Sequence, residues 1–440
     1  MQENYQTSLR TFVIIWVSQF VSLVGSQMTS FATAIWAWEI SGHATPLALM
    51  LFFSRTPGII AATFAGVIVD RFNRKQMMMV GDIAAGFSTI IILLLLVNDN
   101  LAIWHLYVAT AVNGLFGYFQ WLAYSSSLAL LVPKRHYTRA TAMGAVTDFG
   151  SDVMAPAIAG VLYYAIGFSG ILAIDIITFL TAVSTVFVMH IPQPTQSEAG
   201  HQSSQSIWHE ITFGFRYFLK RPNFWAILIF LLSLNFIDSP IGALYSPLVL
   251  ARSNNEPAVL ASVQSALGIG GLVGALTLST WGGPTRRIYG VLLGVIVSYI
   301  STLIVALGKV PSVWIVASFF AAFCLPFIGS SAQAFWISKV EVDVQGRVFA
   351  SRDLVSNVIS PLGLLLAGLL ADYVFEPAMK PKGILAGLFG NTFGTGVGAG
   401  IALEFAFFSV LAILLGIGGL IYRPMRDIET IVPDHDATAG

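Results

Sequence analysis

Long apolar runs recur along this chain and are separated by short polar breaks. A helix needs about 20 apolar residues to cross a hydrocarbon core about 30 Å thick. Twelve runs are long enough, and they lie near residues 12–38, 46–69, 77–97, 101–132, 141–165, 168–191, 223–248, 256–281, 288–308, 311–338, 353–377 and 400–421. The pattern predicts an all-α integral membrane protein, with 12 transmembrane helices in two pseudo-symmetric six-helix bundles.

A longer polar break separates the sixth run from the seventh. It opens with Pro192, Pro194 and several Ser and Gln residues that have no apolar face to bury. Its second part places Ile207, Ile211, Phe215 and Phe218 on one side of a helix and His209, Arg216 and Lys220 on the other. This arrangement is typical of a helix in the membrane interface. We predict an N-terminal bundle over 1–191, a cytoplasmic linker with this amphipathic helix over 192–222, and a C-terminal bundle with a short cytoplasmic tail over 223–440.

The distribution of Lys and Arg predicts the orientation, because these residues are enriched in cytoplasmic loops. Of the 22 basic residues, Arg55 falls inside a span. With both termini inside, the outer segments hold only Arg252, Lys309, Lys380 and Lys382, and the remaining seventeen are cytoplasmic. We therefore expect a multi-pass protein of the plasma (inner) membrane of a bacterium, with both termini in the cytoplasm.

Composition excludes several classes of function. The chain is 56% hydrophobic and 10% charged, with a mean hydropathy of +0.78, whereas soluble domains carry about 25% charged residues. The 22 basic and 22 acidic residues cancel, so nothing suggests a nucleic-acid partner. Cys324 is the single cysteine and the seven histidines are scattered, so we expect no disulfide, metal site or cofactor. No catalytic constellation appears, and an enzyme is the weakest interpretation.

The end of the second run carries a specific motif. Gly66-Val-Ile-Val-Asp70-Arg71-Phe-Asn-Arg74-Lys75 resembles the loop between the second and third helices of major facilitator superfamily transporters. The segments Trp208–Pro222 and Gln345–Ala350 resemble the drug:proton antiporter branch, which includes macrolide efflux and enterobactin export proteins. The resemblance implies that the substrate crosses between two six-helix halves, which rock about a central site.

The motif also suggests a cytoplasmic gate, formed by Gly66, Asp70, Arg71, Arg74, Lys75 and Asp353. The resemblance implies that Asp70 faces the start of the eleventh span, at Arg352-Asp353, where a helix N-terminus favours an anion. Arg74 would reach Asp353 or Asp82, and Gly66 would let two helices approach closely. The alternative is that the three cations only enforce topology.

The fifth span contains a run of small residues around a proline. Ser151, Ala155, Pro156, Ala159 and Gly160 resemble the antiporter motif G-x-x-x-G-P-x-x-G-G, with small residues in place of three glycines. Small residues allow helices to pack closely, and proline bends a helix. Packing alone is the alternative to a specific role in antiport.

Acidic residues inside the spans are candidates for proton coupling. Asp148 and Asp152 lie four residues apart, hence on one helix face. Asp152 falls near mid-span and Asp238 lies beside Pro240. A charge at such depth costs about 2.5–3.5 kcal/mol, so each side chain faces a watery cavity or carries a proton. The alternative is a static partner for Arg55 or a polar neighbour.

Arg55 lies too deep in the second span for easy snorkelling. It would bind an anionic substrate group, or pair with an acid such as Asp175 or Asp152. Asp175 and Glu404 lie nearer the outer ends of their spans, where hydration would be enough to explain them.

Two further patterns each have two possible explanations. Gly268-Ile-Gly270-Gly271-Leu-Val-Gly274 has glycines spaced as in a nucleotide loop, but it sits inside an apolar run without a preceding strand. We therefore predict close helix packing there. Several aromatics could line a cavity for bulky apolar compounds or face lipid: Phe31, Trp36, Trp38, Phe52, Phe53, Trp121 and Phe335.

These observations support two functions. The first is a proton-coupled exporter of amphipathic small molecules (drugs, macrolide-like compounds or a siderophore), acting as a monomer in the bilayer. The second is a lipid-handling or facilitative carrier of the same fold without proton coupling. With no ATP-binding motif, the energy for the first must come from an ion gradient.

Overall fold

The computed structural model describes residues 9–71, 73–132, 137–189, 216–341 and 344–434. The structure is 88% helical, and the described ranges contain no β-strand. The predicted all-α class is confirmed.

The chain divides into two compact units. The first comprises Met1–Ser41 and Leu49–Ser204, and the second comprises Gly42–Ala48 and Gln205–Gly440. Five helices begin in the N-terminal half: α1 (Leu9–Ser41), α2 (Ala44–Arg71), α3 (Arg74–Val97), α4 (Ile103–Leu131) and α5 (Tyr137–Val188). The first turn of α2 thus belongs to the second unit, although the rest of the helix belongs to the first.

The remaining helices belong to the second unit. A 3₁₀ turn at Pro222–Phe224 precedes α6 (Trp225–Arg252), α7 (Pro257–Trp281), α8 (Arg287–Leu307), α9 (Pro311–Phe323), α10 (Leu325–Lys339), α11 (Gln345–Asn357) and α12 (Ser360–Leu370). A π-helical segment, Ala371–Phe375, continues α12 into α13 (Glu376–Met379). The chain ends with α14 (Ala386–Phe393), α15 (Ala399–Ile421), α16 (Arg423–Arg426) and α17 (Ile428–Ile431).

Ten stretches of the described chain are long and apolar enough to cross a membrane, against the twelve predicted. The stretch Phe149–Val188 contains both the fifth and the sixth predicted spans. It is broken at Gly167, whose φ of 66° and ψ of −174° reverse the chain in a conformation that favours glycine. The fourth predicted span corresponds to α4, some of whose side chains are not described. These two cases account for the difference.

The first unit has a core at its predicted cytoplasmic end. Phe12 and Ile15 of α1 pack with Met78 of α3 and Val186 of α5. Lys75, at the start of α3, donates hydrogen bonds to the carbonyls of Phe187 and Met189 at 2.7 and 3.0 Å. A cation at a helix C-terminus complements the carbonyls left unpaired there. Lys75 therefore joins the start of α3 to the end of α5.

Glycines bring α7 and α9 into close contact in the second unit. A Cβ atom at Gly270 would collide with the carbonyl oxygen of Phe319, and one at Gly274 with that of Phe323. Glycines spaced four residues apart allow two backbones to touch over one turn. Close helix packing thus explains the apparent nucleotide loop, as predicted.

An aromatic cluster fills the predicted cytoplasmic end of the second unit. Phe224 stacks on Trp336, with ring centroids 5.2 Å apart, and Phe218 meets the same indole edge-on at 5.9 Å. Phe218 is only 1% exposed. The expectation that it faces the membrane as part of an interfacial helix is wrong, since its ring packs into this cluster. The rest of that predicted helix, up to residue 215, lies outside the described residues.

Candidate functional site

The transmembrane acids of the first unit are held by polar side chains. Asp82 of α3 is 5% exposed. It accepts a hydrogen bond at 3.0 Å from Gln19 of α1 and another from Gln120 of α4, and Gln120 also donates to Gln19 at 3.1 Å. The two amides satisfy both carboxyl oxygens, so this buried group carries little of the penalty for an unpaired polar atom.

Asp175 of α5 is bound in the same manner by hydroxyl groups. Ser26 and Thr29 of α1 each donate to it at 3.0 Å, and Thr89 of α3 donates at 2.9 Å. The residue is 3% exposed, so the expectation that hydration explains it is wrong. Its carboxyl group serves as the polar centre of a contact among three helices.

Arg55 is not paired as the sequence suggested. Its side chain is exposed on α2, and no ion pair to it is found among the described residues. The carboxyl group of Asp175 is already occupied by three hydroxyls, so the pairing of Arg55 with Asp175 is absent from this structure. The predicted interaction with an anionic substrate group stays a prediction.

The small residues of the fifth predicted span and its acid Asp152 differ in their exposure. Ser151, Ala155, Pro156, Ala159 and Gly160 are all buried within α5, as helix packing requires. Asp152 is exposed on the same helix, whereas the side chain of Asp148 is outside the described part. The small residues thus form a packing face, and Asp152 lies off it.

In the second unit, Asp238 of α6 accepts a hydrogen bond at 2.7 Å from the hydroxyl of Tyr299 on α8. Tyr299 is 6% exposed, whereas Asp238 is exposed. One residue further on, the Ser239 hydroxyl lies 2.6 Å from that of Ser360 at the start of α12. A buried phenol therefore holds the carboxyl group of an exposed residue.

The predicted cytoplasmic gate is described only in part. Gly66, Asp70 and Arg71 lie in α2, but their side chains are outside the described residues. Asn73 caps α3 by accepting a hydrogen bond from the Gln76 amide at 3.3 Å. Asp353 pairs with its neighbour Arg352 at 2.7 Å and is 60% exposed. The expectation that a helix begins at Arg352-Asp353 is wrong, since α11 begins at Gln345. The gate, with Arg74 and Lys75, stays a prediction.

An apolar cavity of about 420 Å³ lies in the first unit between α2 and α4. Phe52, Phe53 and Pro57 line it on one side and Phe119 on the other. Phe52 and Phe53 thus line an apolar pocket, and its use by bulky apolar compounds stays a prediction. Trp121, in contrast, is 61% exposed, and Phe335 is fully buried in the other unit.

Sequence reasoning missed an acidic cluster at the predicted outer end of the second unit. Asp372 accepts hydrogen bonds from the amides of Ala44 and Thr45 at 2.9 and 2.7 Å, and from the Thr45 hydroxyl at 2.5 Å. Glu376 accepts one from the Ile401 amide at 3.1 Å. The third member, Glu404, is 0% exposed, so the expectation of hydration is wrong for it as well. The signal that could have revealed the cluster is the Asp372 and Glu376 pair, four residues apart at the end of a span.

A second polar cluster ties the C-terminal tail to the helices at the predicted cytoplasmic end. Glu429 accepts a hydrogen bond at 2.6 Å from the amide of Ile288, at the start of α8. Lys339, whose side chain is 3% exposed, contacts Asp434 at 2.8 Å. The hydrogen bond from Lys339 lowers the pKa of the Asp434 carboxyl from its ordinary value. The hydrogen bond from Arg426 likewise lowers the pKa of Asp427.

The long apolar helices and the acids embedded in them are those of a multi-pass membrane protein. The Major Facilitator Superfamily model matches residues 15–364. The chain belongs to that superfamily.

Individual relatives and structures agree with this assignment. The chain is 24% identical over 376 residues to macrolide efflux protein A of Streptococcus pyogenes, covering 84% of this chain and 92% of the relative. It is 22% identical over 372 residues to the multidrug efflux pump Tap of Mycolicibacterium fortuitum, covering 80% and 88%. A bacterial homolog of the human lysosomal transporter Spinster, solved in an inward-facing and unoccupied conformation, superposes with a TM-score of 0.67 at 15% identity, covering 96% and 99%.

Proposed function

We propose that this transporter exports amphipathic small molecules by alternating access in exchange for protons. The observation that carries the proposal is the contact between Tyr299 and Asp238. A carboxyl group within a span, exposed on one side and held by a buried phenol on the other, can take up and release a proton without losing its position. Asp152, exposed on α5, is the second candidate, and Asp148 the third.

The cargo is inferred from the apolar cavity and from the relatives. A cavity of about 420 Å³ lined by Phe52, Phe53 and Phe119 suits an apolar portion of a drug-sized molecule. The relatives named for macrolide and multidrug efflux support a bulky amphipathic substrate. Arg55, one turn from Phe52 on α2, would contact an anionic group of such a substrate.

Two features of the proposal concern the membrane. The excess of Lys and Arg in the predicted inner loops supports a plasma-membrane location with both termini in the cytoplasm. The Gly66–Lys75 motif supports a gate on the cytoplasmic side, with Asp70 as its anion and Asp353, within α11, as its second acid. We propose that the protein works as a monomer.

The test is substrate-driven proton movement in proteoliposomes, with a radiolabelled macrolide as the probe. Wild-type protein should move protons against the macrolide, and Asp238→Asn and Asp152→Asn should abolish or strongly reduce that movement. Tyr299→Phe removes only the phenol hydroxyl and should shift the pH dependence of transport. Asp70→Asn should slow transport without reducing insertion.

The matched control uses a second phenol–carboxylate pair. Tyr163 donates to Glu39 at 2.9 Å at the predicted outer end of α1, so Tyr163→Phe removes the same group from an exposed pair. This variant should leave the pH dependence unchanged. Macrolide transport without any pH change would instead support the facilitative carrier, and normal transport against a gradient by both Asp variants would refute proton antiport through these residues.

A further inference from the structure

Glu404 is a carboxyl group without any compensation in its surroundings. It lies in the second turn of α15 and is 0% exposed, and both of its oxygens lack a hydrogen-bond partner within the described chain. Burying an ionised carboxylate without a partner costs far more than burying a neutral acid. Such a group is stable in this position only when it carries a proton.

The helix packing around Glu404 places it next to the π-helical segment. One turn before Glu404, a Cβ at Gly400 would collide with the backbone at Phe375 and Glu376, so α15 touches that segment directly. Asp372 lies in the same segment, and its side chain is only 7% exposed. An ionised Glu404 would therefore place two like charges in one enclosed space.

Asp372 binds the first turn of α2. It accepts hydrogen bonds from two backbone amides and one hydroxyl in the first turn of α2, and both of its carboxyl oxygens take part. Groups that donate to a carboxylate and the positive end of a helix both favour its ionised form. Asp372 therefore has donors on both oxygens, whereas Glu404 has none within the described chain, so an ionised form of Glu404 is the one without support.

Other titratable groups lie on the elements that pack against the outer half of α15. They are Tyr245 and Arg252 of α6, Lys309 after α8, Tyr373 and Glu376 beside Asp372, and His43, which lies 3.7 Å from Asp372. Arg252 donates to the carbonyls of Ala306, Gly308 and Phe393, and Glu376 accepts from Ile401. Arg252 and Glu376 are thus engaged by backbone groups, whereas Asp372 is bonded to the first turn of α2.

We propose that Glu404 is a proton-binding site whose neutral form allows Asp372 to hold the first turn of α2 and whose ionisation releases that turn. The chemical step is proton exchange with water, in which the carboxyl O–H bond breaks and the electron pair stays on the carboxylate. Because Glu404 is enclosed while the contact exists, its proton passes to water during a transient opening of the contact, and the ionised carboxylate then keeps the turn released. This site is separate from Asp238 and Asp152 and does not depend on the proposed cargo.

The proton itself can be tested by infrared spectroscopy of the purified protein at neutral pH. A carboxyl C=O band typical of a protonated acid in apolar surroundings should be present in the wild type, lost in Glu404→Gln and retained in Glu376→Gln. Glu376 is the matched control, since it is a neighbouring acid that accepts a backbone hydrogen bond. A band that persists in Glu404→Gln would overturn the assignment.

Release of α2 can be tested by thiol labelling in a Cys324→Ala background. Ala44 is fully buried, so Ala44→Cys should react with a membrane-impermeant maleimide only when the turn is released. The exposed His43→Cys, as the reference, corrects for the intrinsic pH dependence of thiol reactivity. The ratio of the two rates should rise with pH in the wild type, stay low at all pH values in Glu404→Gln, and stay high in Asp372→Ala.

An unchanged pH profile of this ratio in Glu404→Gln would refute the coupling. If Ala44→Cys does not fold, Ala48→Cys, with 1% exposure, replaces it one turn further along. Failure of macrolide transport would leave both measurements unaffected, so this proposal and the proposed function fail independently.

Discussion

The contact between α7 and α9 permits a prediction in which one substitution has opposite effects at two sites. Replacing Gly by Ala inside a helix stabilises it by about 1 kcal/mol through backbone propensity. At Gly270, the added methyl group also collides with the carbonyl oxygen of Phe319. Overpacking of this kind costs about 1–3 kcal/mol. We therefore expect Gly270→Ala to lower the free energy of unfolding by up to about 2 kcal/mol.

Gly242 of α6 is the matched control, because a Cβ atom there would have no neighbour within 4 Å. Gly242→Ala should keep the propensity gain without the collision. The difference between the two variants isolates the collision and should be about 1–3 kcal/mol. Because Gly274 lies on the same interface, adding Gly274→Ala should cost less than a second full collision, since the helices have already moved apart.

The assay is equilibrium unfolding in mixed detergent micelles, with helix content followed by circular dichroism as the denaturing detergent increases. The midpoint should move down for Gly270→Ala and should stay or move up for Gly242→Ala. Equal shifts of the two variants would show that α7 and α9 are not in backbone contact at this point, and the explanation of the Gly268–Gly274 motif would fail with it.

Two more predictions concern the predicted cytoplasmic end. Lys75→Met removes two hydrogen bonds to the end of α5 and should lower the free energy of unfolding by about 1 kcal/mol, measured by the same detergent unfolding. Lys309→Met is the control, because the Lys309 ammonium lies 3.5 Å from its carbonyl partner, and it should leave the free energy of unfolding unchanged. The lowered pKa of Asp434 means that tail docking is favoured above the ordinary aspartate pKa and weakens as pH falls through the lowered value. A spin label at Thr430→Cys in a Cys324→Ala background should become mobile at acid pH, and Asp434→Asn should remove that dependence; a wild-type label that stays immobile would contradict it.

Much of the fold follows from the sequence because membrane spans obey a simple length rule. The twelve apolar runs, and the position of the break between the sixth and seventh, needed only hydropathy and the thickness of a bilayer. The predicted boundary between the fifth and sixth spans also coincides with the reversal at Gly167, although the apolar pattern did not indicate its backbone geometry. A turn of that kind depends on one residue in the left-handed region, and an apolar pattern does not record backbone angles.

The site was harder to predict, because a single sequence gives the depth of an acid but not its partners. Asp175 and Glu404 were placed near the outer ends of their spans and were interpreted as hydrated. In the structure one is held by Ser26, Thr29 and Thr89, and the other is fully enclosed. The hydroxyls come from helices far apart in sequence, so only tertiary packing shows which acid has donors.

The surroundings of each transmembrane acid determine whether its protonation would change hydrogen bonds, charge or packing. Asp82 and Asp175 receive donors on both oxygens, so protonation would break hydrogen bonds that hold helices together, and these two are suited to structural work. Asp152 and Asp238 are exposed, so their protonation alters charge with little loss of packing. Glu404 is the opposite case, since it is enclosed without donors and loses stability when it releases its proton. We therefore propose the exposed acids and Glu404 as the proton-binding groups, and Asp82 and Asp175 as structural acids of the first unit.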